Sequence, residues 1–145
     1  MAKADFYILN KSDNNDRLLF LSRLIEKAIT LGHTIYIHTN NIQQATEIDD
    51  YLWSYKIESF LPHELSSTNT SKELSAPVTI GFTDNCNDHN DLLINLASEL
   101  PDFYKQFNRI AEIVIQDDLI LQELRKHYRQ IKNENIEAVI HDFRQ

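Results

Sequence analysis

Glycine is scarce in this chain, which limits the chemistry that the chain can support. The 145 residues include two glycines, Gly32 and Gly81. A loop that closes backbone N–H groups around a phosphate needs several glycines, because side chains would block the close approach of the backbone. The sequence therefore excludes the dinucleotide fingerprint and the P-loop, and argues against the nucleotide-binding enzymes that use them.

Cysteine, long apolar runs and basic residues are also in short supply. Cys86 is the only cysteine, so no intrachain disulfide can form and the composition fits a reducing compartment. No apolar run approaches the roughly 20 residues of a membrane span, and Asp5 lies where a signal peptide would begin its apolar segment. The formal net charge of -8 at pH 7 argues against binding of nucleic acid or an anionic membrane through overall charge.

The order of the predicted elements indicates the fold class. We predict strand 6–9, helix 16–31, strand 34–38, helix 41–52, strands 77–82 and 92–96, a short helix 101–107, strand 110–115 and helix 117–133. A strand–helix alternation of this kind predicts an α/β fold. We expect one Rossmann-like three-layer domain, residues 1–145, with a mostly parallel central sheet. The segment after Asn133 is expected to be a tail with one short helix around Ile136–Ile140.

Residues suited to catalysis or metal binding are few and scattered. The one cluster of possible metal ligands consists of Asp84, Cys86, Asp88, His89 and Asp91. Structural zinc sites pair Cys and His at fixed spacings, and this cluster does not, so we interpret it as a polar turn. The remaining candidates for a general base are His33, His38, His63 and His141, without a recognisable set of partners. We expect no catalytic residue, no cofactor and no metal.

A cationic run on the last predicted helix is the most informative positive feature. Residues 125–132 hold four of the fourteen Lys and Arg residues of the chain. At helical spacing, Arg125, Tyr128, Arg129 and Lys132 share one side, and Ile120, Leu124 and Ile131 share the core side. Such a patch suits an acidic partner with an apolar anchor, because Arg binds carboxylates in pairs and Tyr adds apolar area. The alternative is that these cations offset the helix dipole.

A second candidate surface lies between Trp53 and His63. Trp53 falls at the edge of the apolar stripe of its predicted helix. Phe60 and Pro62 follow in a segment that the proline keeps extended. Tryptophan and phenylalanine beside a rigid proline are suited to anchoring another protein, and the alternative is that both rings fill the core.

At these two stretches the sequence resembles the chi subunit family of bacterial DNA polymerase III. The resemblance covers nearly the whole chain, and Arg129 stands where a lysine is familiar in the family. The segment after Asn133 departs most from the family pattern. The residues that carry the resemblance are Phe6-Tyr7-Ile8-Leu9, Gln44-Ala45, Asp49 through Leu52-Trp53, Glu58-Ser59-Phe60-Leu61-Pro62-His63-Glu64-Leu65, Ala76-Pro77-Val78-Thr79-Ile80, Asp91-Leu92-Leu93-Ile94-Asn95-Leu96, and Arg125 with Tyr128-Arg129.

The resemblance implies a cytoplasmic, non-catalytic adaptor of the replisome. Its partners would be the psi subunit of the clamp loader and the acidic C-terminal tail of single-stranded-DNA-binding protein, which ends in Pro-Phe. DNA would be reached only indirectly, and no membrane would be involved. The residues implied for the tail site are Val114, Arg125, Tyr128, Arg129 and Lys132. Those implied for the psi-facing surface are Trp53, Phe60, Pro62 and His63.

Two other functions stay open on the sequence alone. One is an enzyme of nucleotide or nucleic-acid metabolism on a Rossmann-like fold, which the glycine count disfavours. The other is direct binding of single-stranded DNA through the basic helix, which the net charge disfavours and which steep salt dependence would reveal.

Overall fold

The computed structural model describes residues 2–54, 63–65, 78–83 and 90–144, with side chains for 2–52, 78–83 and 90–144. Most of the predicted helices and strands are confirmed. The elements are β1 Lys3–Ile8, α1 Asn14–Thr30, β2 Ile35–His38, α2 Ile42–Ser54, β3 His63–Leu65, β4 Val78–Gly81, β5 Leu92–Asn95, a 3-10 helix Asp102–Gln106, β6 Arg109–Val114, α3 Asp118–Asn133 and β7 Glu137–Asp142.

The described strands form one parallel sheet, which confirms the predicted fold class. The strand order is β3-β4-β2-β5-β6-β1-β7, and every described pair is parallel. In the interior strands both faces are largely buried, because helices cover both sides of the sheet. β3, which the sequence does not predict, lies at one edge, and β7 lies at the other.

Two apolar layers sandwich the sheet. On one face α1 and α2 bury Leu21, Ile25, Ala45 and Ile48. On the opposite face α3 and the 3-10 helix bury a second cluster that includes Leu124, Ile131, Tyr104 and Phe107. Alternation along β1 sends Phe6 to the α3 face and Tyr7 to the α1 face. The predicted three-layer arrangement is therefore confirmed.

Local polar contacts fix where the helices begin and end. The Asp13 carboxylate caps α1 by accepting from the Asn15 N–H at 2.9 Å, so the helix begins two residues before the predicted start at residue 16. Asn41 accepts from the Gln44 N–H at 2.9 Å at the start of α2, and Asp117 accepts from the Ile120 N–H at the start of α3. Gly32, with φ of +88°, follows the C-cap of α1, where a left-handed residue is favoured.

The helix predicted around Ile136–Ile140 is wrong, because this segment forms β7. Asn135 adopts φ of +61° and ends α3, since a left-handed residue turns the chain away from the helix axis. The chain then runs alongside β1, with Phe6 opposite Ile140 in the register. The adjacent β-branched residues Val139 and Ile140 favour a strand at this position. Among the described residues, no helix combines the length and the apolar character needed to cross a membrane.

Candidate functional site

α3 separates its residues into a buried side and a cationic side. Leu124 and Ile131 are buried as predicted, and Ile120 is half-buried. Arg125, Arg129 and Lys132 are exposed, and Tyr128 lies half-buried at the edge of the core. Spacings of three, four and seven residues place these four side chains on one side of the helix. The structure thus brings the predicted cationic patch together.

Three cations of this patch lack ion-pair partners among the described residues. Lys105, Lys126, Arg109 and Arg144 each bind a carboxylate in the same part of the structure. Arg125, Arg129 and Lys132 form no such pair there. Arg125 also lies two turns before the end of α3, and the helix dipole acts mainly over the last turn. Dipole compensation therefore accounts for Lys132 and leaves Arg125 to another explanation.

Lys126 belongs to a different surface from its neighbours in the cationic run. Its Nζ lies 3.3 Å from the Glu99 carboxylate, on the side of α3 that faces the end of β5. The run of four cations therefore divides into one paired lysine and a cluster of three cations for which the described residues supply no carboxylate partner.

Tyr128 and Val114 form the apolar part of the predicted site. The Tyr128 ring meets the Phe6 ring edge to face, with centroids 5.7 Å apart. Val114, at the end of β6, is 2% exposed. It therefore packs in the core beneath the site and offers almost no surface to a ligand. Edge-to-face packing of this kind fixes the ring orientation. The Tyr128 ring thus lies in a fixed orientation between the cations and the sheet.

His127 is a residue of this helix to which sequence reasoning gave no role. It is 1% exposed, and its Nδ1 lies 2.7 Å from Oε2 of Glu112 on β6. Its Nε2 lies 2.9 Å from the Ser98 carbonyl oxygen. Both ring nitrogens face oxygen atoms, an arrangement that favours the imidazolium form of His127, in which both nitrogens donate. A signal was available, since His127 follows the core residue Leu124 by three positions.

The buried pair of His127 and Glu112 sets the rotation of α3. Burial by itself lowers the pKa of His127, but the hydrogen bond and charge of Glu112, together with the Ser98 carbonyl and the charge of Glu123, raise it above its ordinary value. Asn95 donates from Nδ2 to the same carboxylate at 2.9 Å. With His127 fixed towards β5 and β6, Tyr128, about 100° further around the helix, faces β1 through its contact with Phe6.

The second predicted surface lies at the other end of the sheet. The backbone of Trp53 falls in the last turn of α2, one residue after buried Leu52, and His63 begins the edge strand β3. The side chains of Trp53 and His63 lie outside the described residues, as do Phe60 and Pro62 entirely. α2 and α3 pack on opposite faces of the sheet, so the two candidate surfaces are separated in the fold.

A polar cleft of about 310 Å³ lies at the carboxyl ends of β2 and β5. Ligands of open α/β sheets bind at such positions, where neighbouring connections leave to opposite faces. The Asn40 side chain closes part of this cleft by accepting from Ser98 N–H and Oγ–H, at 2.8 and 3.0 Å. The described loop after β2 contains no glycine, so it lacks the phosphate cradle that an enzyme of nucleotide chemistry would use.

The remaining histidines and the possible metal ligands have structural partners or lie outside the description. The Asp91 carboxylate binds His33 Nδ1 at 3.1 Å and accepts from the Thr34 N–H. His141 Nε2 lies 3.0 Å from Asp5 Oδ1. Asp84, Cys86, Asp88 and His89 lie outside the described residues, and no group of three potential metal ligands occurs among those described.

Comparison with known proteins decides the family. A model of the family described as DNA polymerase III chi subunit, HolC, matches residues 1–139. The chain belongs to the DNA polymerase III chi subunit family. A protein named DNA polymerase III subunit chi from Pseudomonas aeruginosa is 38% identical over 129 residues, which cover 89% of this chain and 88% of that protein. This match confirms the resemblance drawn from the sequence.

Two further chi subunits extend the comparison. The Haemophilus influenzae protein is 34% identical, with 91% of this chain and 92% of that protein covered. The Escherichia coli protein is 28% identical, with 89% and 90% covered. Among solved structures, the Mss116p DEAD-box helicase domain 2 bound to an RNA duplex matches with a TM-score of 0.62 at 10% identity, covering 95% of this chain and 64% of that one. This likeness supports the α/β fold alone.

Proposed function

We propose that this protein is a non-catalytic accessory subunit of the DNA polymerase III clamp-loader complex. It pairs with the psi subunit and binds the acidic C-terminal tail of single-stranded-DNA-binding protein. In this role it links the replicase to the coated lagging-strand template. The DNA itself is reached through the bound protein.

The cluster of α3 cations that have no ion-pair partner in the described part of the chain is the observation that carries the proposal. Arg125, Arg129 and Lys132 are exposed together on a protein with a net charge of -8. Such a local patch favours an acidic peptide over bulk nucleic acid, because long-range attraction to phosphate depends on overall charge. Tyr128 adds the apolar surface that a terminal phenylalanine requires. Arg129 retains the charge of the familiar lysine and adds a bidentate geometry for carboxylates.

The psi-facing surface is assigned to Trp53, Phe60, Pro62 and His63. Its support is the family membership together with the backbone positions of Trp53 and His63 beside the β3 edge. An adaptor needs two sites that do not overlap. The cationic patch lies on the face opposite α2, which fits that requirement.

Calorimetry with a synthetic peptide tests the tail site. The peptide carries acidic residues and ends in Pro-Phe, and a copy without the final Phe serves as the ligand control. We expect saturable binding of the first peptide only, and loss of this binding in Arg129→Glu. Lys126→Glu is the matched protein control, because it makes the same charge change on the side of α3 that faces Glu99. Equal binding by Arg129→Glu and the unmodified protein would refute the site.

A titration with a single-stranded oligonucleotide distinguishes DNA from the acidic peptide as the ligand. Three cations can neutralise at most about three phosphates, so any binding of an oligonucleotide is expected to be weak and to disappear with moderate salt. An oligonucleotide that binds more tightly than the peptide, with a steep salt dependence, would favour the DNA-binding alternative.

A further inference from the structure

β7 exposes an isoleucine beside the cationic patch. Ile140 is 46% exposed, although it lies within a strand of the sheet. It is the register partner of Phe6, so both side chains project from the same face of neighbouring strands. The Phe6 ring contacts Tyr128 of α3 with centroids 5.7 Å apart. Ile140 and Tyr128 therefore both adjoin Phe6 on the face of the sheet that α3 covers, and from this placement we infer a shallow apolar groove between β7 and α3.

Two cations of α3 lie on the same side of the helix as the Tyr128 wall of this groove. Arg125 and Lys132 lie three residues before and four residues after Tyr128, so both share its side of the helix. Another side of α3 faces the end of β5, where His127 binds the Ser98 carbonyl and Lys126 binds Glu99. The groove thus combines an apolar floor with a cationic rim on one wall.

The β7 side of the groove carries little free negative charge. Asp142 projects from the same face as Ile140, and Arg144 binds its two carboxylate oxygens at 2.9 and 2.7 Å. The cations of α3 and the neutralised Asp142 together favour an acidic peptide as the occupant of this groove.

We propose that Ile140 is the outer wall of this groove and holds the aromatic ring at the end of a bound acidic peptide against Tyr128. The proposal rests on the proposed tail-binding function and deepens it. It assigns a binding role to β7, in the segment where the sequence departs most from the family pattern. Ile140 supplies apolar contact to the ring, while Arg125 and Lys132 bind the peptide carboxylates.

Calorimetry on Ile140→Thr tests the proposal, because threonine keeps the β-branched shape that suits a strand. We expect the affinity for the peptide ending in Pro-Phe to fall about five-fold through lost apolar contact. A peptide ending in Pro-Ala is expected to bind neither protein measurably. The matched control is Phe143→Ala, since Phe143 is also 46% exposed but packs towards Phe20 of α1 on the other face.

A second measurement does not depend on affinity. In an NMR titration, the Ile140 methyl resonances should shift on addition of the Phe peptide, through the ring current, and should stay in place with the Ala peptide. Unchanged Phe-peptide affinity in Ile140→Thr, or a change only in its oligomeric state, overturns the role of Ile140. If Arg129→Glu still abolishes binding, the tail site itself stands. Failure of the unmodified protein to bind the peptide overturns both proposals.

Discussion

His127 of α3 and Glu112 of β6 form an ion pair inside the protein, with Nδ1 and Oε2 2.7 Å apart and both side chains almost fully buried. An ion pair in this position costs desolvation, and its hydrogen bonds offset much of that cost. Its geometric effect is specific, because the imidazolium is held by Glu112 on one side and by the Ser98 carbonyl on the other. The pair therefore determines which side of α3 faces solvent.

Removing one member of this pair should destabilise the protein strongly. In His127→Leu the Glu112 carboxylate stays buried with Asn95 as its remaining side-chain donor. We expect the free energy of unfolding to fall by about 3–5 kcal/mol, as is typical when a buried charge loses its partner. Urea denaturation measures the change. His33→Leu, which breaks the partly exposed pair with Asp91, should cost less than about 1 kcal/mol. Similar losses in the two variants would contradict this account.

The same pair predicts a dependence of stability on pH. The pKa of His127 is raised in the folded protein above its ordinary value of 6.5, because Glu112, with the Ser98 carbonyl and Glu123, outweighs the effect of burial. The stabilisation is therefore fully present below about pH 6.5 and is lost as the pH rises through the raised pKa. Urea midpoints taken from pH 6 upwards should fall for the unmodified protein. The fall should be smaller in His127→Leu, and parallel curves would argue against a charged imidazole.

β7 is held to the sheet by a second polar contact, between His141 and Asp5. The His141 ring stacks on Tyr7 with centroids 4.7 Å apart, and its Nε2 lies 3.0 Å from Asp5 Oδ1. Burial alone would raise the pKa of Asp5, but Arg109 and His141 together lower it. In His141→Ala, amide hydrogens of β7 should exchange faster while those of β5 keep their rates. His141→Phe keeps the ring, so it should show a smaller increase, and equal exchange in both variants would exclude a role for stacking.

The segments of regular periodicity were the ones that the sequence could predict. The apolar residues of α1 and α3 recur at helical spacing, and the apolar strands 35–38 and 92–95 are short and continuous, which is typical of a parallel sheet covered on both faces. β7 was not predicted because its partner β1 lies at the other end of the sequence, so no local pattern reveals the pairing. The role of His127 escaped because its neighbours are cations. Trp53, Phe60, Pro62 and His63 stay predictions, since their side chains lie outside the described residues.

The turn that starts β7 gives a prediction at a single residue. Asn135 has φ of +61°, a left-handed conformation. This conformation strains most residues that carry a Cβ, is tolerated by asparagine and suits glycine best. Asn135→Ala should lower the free energy of unfolding by about 1 kcal/mol, and Asn135→Gly should leave it equal or higher. Urea denaturation of the two variants measures both effects. Equal stability of the alanine and glycine variants would mean that this turn is not constrained.

The separation of the two proposed surfaces predicts independent binding of the two partners. The cationic patch lies on α3, towards the β7 edge, whereas the backbone of Trp53 and His63 lies at the β3 edge, six strands away in the sheet order. Sites that share no contacts couple weakly, so the affinity for the peptide should agree within about two-fold with and without bound psi subunit. Titration of the Pro-Phe peptide into the free protein and into its complex with psi measures this. A tenfold difference would show that one surface, or a rearrangement of the sheet between them, serves both partners.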